Sequence, residues 1–262
     1  DLPEKTEKLR FICTSPEKSG IMIDDLKLSQ PTPMAVHEAG VHWLQTPVLL
    51  GQPANPLAQI RITTSGSLEP LTVKELTIAT AGTTALADID RLEIFYAGTE
   101  RELNHRDPKR MFEGMTPFGT PQADDEVQTV NGEQVLEDGQ NVLWITATLN
   151  NNADQSHRVA ATCTRIVLGD GTIIKPAPAG TPVRKRIGVA LRNGGDDDVP
   201  AYRIPGLDTT NSGVLIAVYD VRRNGWGDLP GHIDVGMSRS TDGGHSWEPM
   251  KVIMDMGDDP EL

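Results

Sequence analysis

Apolar residues fall in short runs punctuated by Gly, Pro, Asn and Asp, the pattern of strands and turns rather than of helices. Strands are predicted over residues 59–64, 71–80, 92–96, 141–149 and 160–168. Leu92, Ile94 and Tyr96 share one side of a half-buried strand, and so do Leu143, Ile145, Ala147 and Leu149. Asp170-Gly171 reads as a hairpin turn into 172–175. Five or six strands over residues 41–182, without helical periodicity, predict a β-sandwich. Residues 98–137 carry Pro, Gly and charge and read as an extended loop region, and 176–182 (P-A-P-A-G-T-P) as a linker. Ahead of the sandwich, residues 1–40 hold apolar snippets at 9–13 and 21–28, read as N-terminal strands.

Residues 183–262 have a different rhythm. Residues 186–191 read as an outer closing strand and 194–198 as a loop. Four runs follow, at 202–207, 214–222, 233–240 and 247–254, broken by Asn211-Ser212-Gly213, by 224–231 and by Asp242-Gly243-Gly244. They predict an antiparallel meander of the size of one propeller blade. In a meander the start of the first strand lies beside the end of the second, where the loop to the third also begins. Arg203, Arg222 and Asp228 are therefore expected on one rim, and the turn 240–247 at the opposite end. Two arginines and a carboxylate on one rim suggest a site for an anionic ligand with an acid nearby.

Tyr202-Arg203-Ile204-Pro205 resembles the Arg-Ile-Pro motif that opens the sialidase propeller. Ser240-Thr241-Asp242-Gly243-Gly244-His245-Ser246-Trp247 resembles the sialidase Asp-box, S-x-D-x-G-x-[ST]-W. Both occur in order, about 40 residues apart. The intervening Asp220-Val221-Arg222, Asp228-Leu229 and Ile233-Asp234-Val235-Gly236 are similar to the bacterial exo-α-sialidases of glycoside hydrolase family 33. Upstream, 56–64, 71–77 and Gly82-Thr83-Thr84 resemble the accessory domain before the propeller in sialidases of gut Bacteroidetes, a likeness spanning most of 45–180. Residues 20–28 resemble the last strand of a jelly-roll lectin-like domain, an N-terminal strand tied to the next domain being the equal alternative.

The resemblance implies an all-β chain: N-terminal strands (1–40), a β-sandwich accessory domain (41–182), and the first blade of a six-bladed propeller (183–262), with the other blades absent from these residues. It implies release of terminal α-linked sialic acid with retention, through a tyrosine nucleophile lying beyond residue 262. The 262 residues alone are then expected to be inactive, with a second polypeptide carrying the remaining blades as partner and sialylated glycans as ligands. A cut near Asp258-Asp259-Pro260 or a shortened form would each account for the length. No cofactor or metal is implied. Two other readings stay open: a non-catalytic carbohydrate-binding or adhesion protein, and an intramolecular trans-sialidase.

In the family the first arginine, matched by Arg203, belongs to a triad gripping the sialic acid carboxylate, for which a planar guanidinium suits. Arg222 matches the family's second arginine, which lies near the acid and the carboxylate, although its neighbour Arg223 allows a slip by one. Two further triad arginines, like the tyrosine nucleophile and its glutamate partner, are implied beyond residue 262. Asp228 matches the general acid/base, with Asp220 and Asp234 as rivals on strands. Such an acid must hold a proton near neutral pH, which calls for burial or an apolar neighbour such as Trp226 or Leu229. Ser240, Asp242, Gly244 and Trp247 take structural roles: the Asp242 carboxylate satisfies N–H groups of its own turn and Trp247 packs beneath.

Composition narrows the rest. A net charge of −13 and the lack of a basic stripe argue against nucleic-acid binding. No apolar run approaches the ~20 residues of a membrane-spanning helix. The chain starts at Asp1 with no signal sequence in view, and a secreted, periplasmic or cell-surface protein is expected. Cys13 and Cys163 could pair in an oxidising compartment; buried free thiols are the favoured reading. The triplet Asp196-Asp197-Asp198 lacks alternating calcium-ligand spacing and reads as a solvated acidic loop. His105-Arg106-Asp107 imitates a kinase loop without its companions, and His232 near Asp234 reads as an exposed histidine.

Overall fold

Alternating apolar and polar residues build strands throughout, and the computed structural model describes residues 31–99, 102–103, 108–121, 125–178 and 180–257. Among the described residues there are three 3-10 turns and no α-helix. In chain order the strands are β1 (Ala35–Trp43), β2 (Val48–Leu50), β3 (Asn55–Ser65), β4 (Thr72–Ala79), β5 (Ile89–Thr99), β6 (Thr116–Gly119), β7 (Val127–Val135) and β8 (Gly139–Leu149). Then come β9 (Arg158–Val159), β10 (Thr162–Leu168), β11 (Ile173–Ile174), β12 (Ala177–Pro178) and β13 (Lys185–Val189). The last four are β14 (Ala201–Thr209), β15 (Leu215–Arg222), β16 (Ile233–Ser240) and β17 (Lys251–Met254). None of the helical segments is long and apolar enough to cross a membrane, among the described residues.

A six-stranded sheet, ordered β12-β1-β3-β8-β5-β6, packs on a four-stranded sheet, β11-β10-β4-β7. Ile60, Leu92, Leu143 and Ile145 from the first meet Leu76, Ile78 and Ile166 from the second, all without solvent exposure. Each such side chain contributes about 1.5–3 kcal/mol on burial, so the sandwich owns its core. Central strand β8 is buried on both faces. Its Val142 and Trp144 lie under a second cluster with Leu103, Met111, Phe112 and Met115.

The fold class is the expected one, while several local expectations give way. The stretch 98–137, expected as loop, contains β6 and β7. Strand β7 sits at a sheet edge with Gln128 and Val130 inward and Val127 outward, so no apolar run announces it. Within the expected linker 176–182, Ala177 and Pro178 pair in parallel with Gly40 and Val41. The boundary expected between residues 40 and 41 cuts β1, which pairs with β3 from Ala35 onward. The strand expected at 186–191 to close the propeller pairs instead with β2 and β9 on the sandwich side. Asn55, 1% exposed, readies β2 for it: its Oδ1 accepts from Leu49 N (2.8 Å) and its Nδ2 donates to Leu49 O (3.1 Å).

Cys163 is free and buried, and burial pushes its thiol up to about 12. Cys13, the apolar snippets at 9–13 and 21–28, His105-Arg106-Asp107 and Asp258-Asp259-Pro260 lie outside the described residues.

Strands β14-β15-β16-β17 form the predicted antiparallel meander. One face packs Ala217, Tyr219 and Val221 with Val199, Tyr202, Trp247 and Met250. Gly236 permits this packing, because a Cβ there would lie 2.6 Å from Val221 and 2.8 Å from Tyr219. The fourth run is shorter than expected: Trp247 belongs to the turn and the strand begins at Lys251.

Candidate active site

The opposite face of the meander carries the polar site. Cross-strand register places Arg203 against Asp220 and Arg222 against Ile233. Strand alternation puts Asp220 and Arg222, two residues apart, on the same face. Beyond Arg203 the pairing slips before Gly206, with Ile204 at φ +51. A branched residue in that region costs on the order of 1–3 kcal/mol, and the bulge re-aims the chain beside Arg203.

Arg222 is 3% exposed and saturated with partners. Its Nε and Nη2 donate to Asp220 Oδ2 at 3.2 and 2.8 Å, and its Nη1 to the Trp226 and Gly227 carbonyls at 3.2 and 2.6 Å. The same Nη1 lies 2.8 Å from Asp228 Oδ1. Arg203 Nη1 reaches that oxygen at 3.3 Å and the Trp226 carbonyl at 3.0 Å. The loop is thus wrapped on two guanidinium groups, and the three expected rim residues converge. Leu229, Ile233 and Met256 supply apolar wall to a cavity of ≈ 450 Å³ that opens onto Asp220, Arg222 and Asp228.

The charge state of Asp228 differs from the expectation. Its carboxylate is 74% exposed, and Trp226 and Leu229, 39% and 65% exposed, do not bury it. The Arg222 hydrogen bond, then the charges of Arg203 and Arg222, hold its carboxyl below the usual carboxylate range. With the two guanidinium groups in place Asp228 is ionised at neutral pH.

Arg222 faces the cavity; Arg223 does not. Arg223 Nε donates to Asp234 Oδ2 at 2.8 Å behind the sheet. Asp220 turns out to be the partner of Arg222 rather than a lone acid, a pairing its two-residue spacing could have signalled. Asp234 is buried, and the His232 side chain beside it is 14% exposed rather than free in solvent. Met256 and Gly257, which no sequence signal marked, complete the cavity wall. Among the described residues, His232, Asp234 and Asp255 bring ligand atoms within 4.8 Å of one another, but Arg223 already neutralises Asp234.

The Asp-box motif folds as a closed turn. Ser240 Oγ donates to Asp242 Oδ1 (2.7 Å) and accepts from Gly244 N (2.9 Å). Asp242 Oδ1 accepts from Ser246 N (3.0 Å), and Trp247 Nε1 donates to the Gly244 carbonyl (3.1 Å). Gly244 needs its φ of +94 to close this loop. Hydrogen bonds from the Ser246 hydroxyl and N–H, and from Ser240, hold the Asp242 carboxyl far below the usual range. Leu215 pairs with Ser240 whereas Arg222 pairs with Ile233. Seven strand steps of ~3.3 Å put the turn about 23 Å from the arginines.

Residues 36–172, just over half of the chain, match the family described as the N-terminal domain of BNR-repeat neuraminidase. The chain belongs to that family. A sialidase of Bacteroides fragilis (strain YCH46) is 30% identical over 246 residues, covering 87% of this chain and 44% of that protein. A Micromonospora viridifaciens sialidase is 40% identical over 76 residues, 29% of this chain and 11% of its own. Among solved structures, the Hadza microbial sialidase Hz136 superposes with a TM-score of 0.70 at 32% identity, over 82% of this chain and 44% of that one. This neuraminidase-family chain therefore spans less than half the length of the B. fragilis protein and of Hz136.

Proposed function

We propose that the chain contributes the accessory sandwich and first propeller blade of an exo-α-sialidase that cleaves terminal sialic acid from glycoconjugates outside the cytoplasm. Arg203 and Arg222 take the sugar carboxylate, and Asp228 is the general acid/base. One observation carries this reading: two arginines from neighbouring strands converge on a single exposed carboxylate oxygen, at 3.3 and 2.8 Å, at the mouth of the cavity. A planar guanidinium makes charge-assisted bonds to a carboxylate and does not deprotonate. An arriving sialic acid carboxylate competes for the same donors. As it takes them, Asp228 loses its hydrogen bond to Arg222 and gains a negative neighbour, and both changes raise its proton affinity. The acid becomes protonated as the substrate binds, ready to protonate the departing glycosidic oxygen.

The remaining machinery is assigned to other residues of the complete enzyme. The chain contains three tyrosines. Tyr96 donates to Asn141, Tyr202 to the Asp196 carbonyl, and the Tyr219 hydroxyl pairs with Ser238, so none lines the cavity. A retaining mechanism through a tyrosine glycosyl intermediate thus draws its nucleophile from another blade. The half-covered outer face of the blade, with Ile216, Val218, Val235 and Met237, suits packing of the next one.

The test is sialic acid release from a sialoside by the 262-residue chain alone and by the protein that includes the remaining blades. Release only from the latter supports the proposal. Glycan binding with no release from either overturns it in favour of a binding module.

A further inference from the structure

Behind the arginine pair lies a buried carboxylate to which the proposed chemistry assigns no part. Asp234 on β16 is 1% exposed and pairs across the sheet with Val221, one residue from Arg222. Its Oδ2 accepts from Arg223 Nε at 2.8 Å, and its Oδ1 accepts from the backbone N–H of Met256 at 3.1 Å. His232 Nε2 approaches Oδ1 at 3.3 Å. Asp255 Oδ1 meanwhile accepts from Gly257 N at 2.9 Å, shaping the segment that Asp234 anchors. One side chain therefore touches the residue after Arg222 at the end of β15 and the segment after β17 that walls the cavity.

The geometry points to Asp234 as a positioning residue that sets the cavity-facing orientation of Arg222 and the Met256–Gly257 wall from behind the sheet. β15 ends at Arg222, and beyond it a backbone bond from Arg223 N to the His232 carbonyl (3.1 Å) carries the pairing one step further. The Asp234–Arg223 side-chain bond adds to that fixing at the strand end, because successive side chains leave a strand on opposite faces and Arg223 held behind the sheet keeps Arg222 turned to the cavity. A buried carboxylate is retained only when its lone pairs are satisfied, and here both partners are cavity-shaping segments. Although burial opposes its charge, the Arg223 and Met256 bonds outweigh it and hold the Asp234 carboxyl below the ordinary range, so it remains a charged anchor at neutral pH.

The inference rests on the sialidase reading for its functional meaning, but its test does not. Asp234→Asn keeps size and one acceptor for Met256 while offering Arg223 a donor it cannot use. Arginine Nε–Hε signals of the 262-residue chain are followed by ¹⁵N NMR, with solvent exchange as a second readout. In Asp234→Asn the Arg222 Nε–Hε, bonded to Asp220 in the wild type, is expected to shift and to exchange about tenfold faster. Should that variant fail to fold, Arg223→Gln at a half-exposed position breaks the same bond and is expected to give the same Arg222 change. An unmoved Arg222 signal in a folded variant overturns the proposal and leaves Asp234 a local partner of Arg223. Titration of N-acetylneuraminate into the wild-type complete protein tests the sialidase reading separately: loss of that reading leaves the NMR outcome intact.

Discussion

Lys185 offers a test of how the sandwich side holds β13. Its side chain is 2% exposed and donates to the Thr46 carbonyl at 3.0 Å and the Thr46 hydroxyl at 3.4 Å, with no carboxylate among these partners. Burial lowers its pKa from 10.5 to about 8. In the unfolded chain it titrates at the higher value, so below pH 8 both states are protonated and the folded state bears the whole penalty. Between about 8 and 10.5 the unfolded chain binds more protons, and stability rises with pH. At about 1.4 kcal/mol per pH unit the ceiling is about 3 kcal/mol, and residual hydration of the ammonium reduces this to about 2. Lys185→Met removes the penalty and gives up a hydrogen bond worth about 1 kcal/mol. The variant should therefore be about 1 kcal/mol more stable than wild type at pH 7 and slightly less stable near pH 10.5. Urea unfolding of both proteins by tryptophan fluorescence at the two pH values measures the difference, and subtraction cancels every other titrating group. A wild-type-minus-variant difference that stays constant from pH 7 to 10.5 would refute the argument.

Other outcomes follow from the site. In the complete enzyme, Asp228→Asn should lower turnover about 10²–10⁴-fold on sialosides with poor alcohol leaving groups; the loss should be much smaller on an aryl sialoside whose phenolate needs little protonation. Equal losses on both would count against an acid role. Arg222→Lys keeps the charge but loses the fork, and should weaken sialic acid binding at least about tenfold by calorimetry; unchanged binding would remove Arg222 from the ligand site. Ser240→Ala leaves the Gly244 N–H and one Asp242 oxygen without their buried partner and should cost about 1–3 kcal/mol in urea unfolding. The Arg222 Nε–Hε signal, at the other end of the strand, should stay where it is.

The convergence of Arg203, Arg222 and Asp228 could be read from the sequence because it follows from connectivity. A meander with tight turns leaves only one way to arrange which strand ends share a rim, and side-chain parity does the rest. The Asp242 turn was legible for a related reason: all of its hydrogen-bond partners lie within a few residues. Elements defined by distant partners were not. β13 is a strand through pairing with β2 and β9, and Lys185 meets Thr46 across 139 residues of chain. Strand β7 hid because an edge strand with a wet face needs no apolar run. The ionisation of Asp228 was misread because the two arginines expected on its rim come within hydrogen-bond or ion-pair reach of its carboxylate, and their effect outweighs the exposed Trp226 and Leu229 beside it.

That misreading exposes the electrostatic design of the site. Arg203 and Arg222 bring two positive charges, Asp220 and Asp228 two negative ones, so the rim is neutral within a chain of net charge −13. A bare pair of arginines held this close would repel at an effective dielectric near 20 by a few kcal/mol; the two carboxylates hold it together until a ligand comes. On the proposed reading a sialic acid carboxylate leaves the rim one negative charge in excess. Asp220 is committed to Arg222 through two bonds, whereas Asp228 is exposed and shares a single oxygen between both arginines. Asp228 is thus the group whose protonation restores neutrality at least cost. On that reading the arginines that keep it ionised are the ones the sugar carboxylate engages, so arming of the acid and recognition of the sugar are one event.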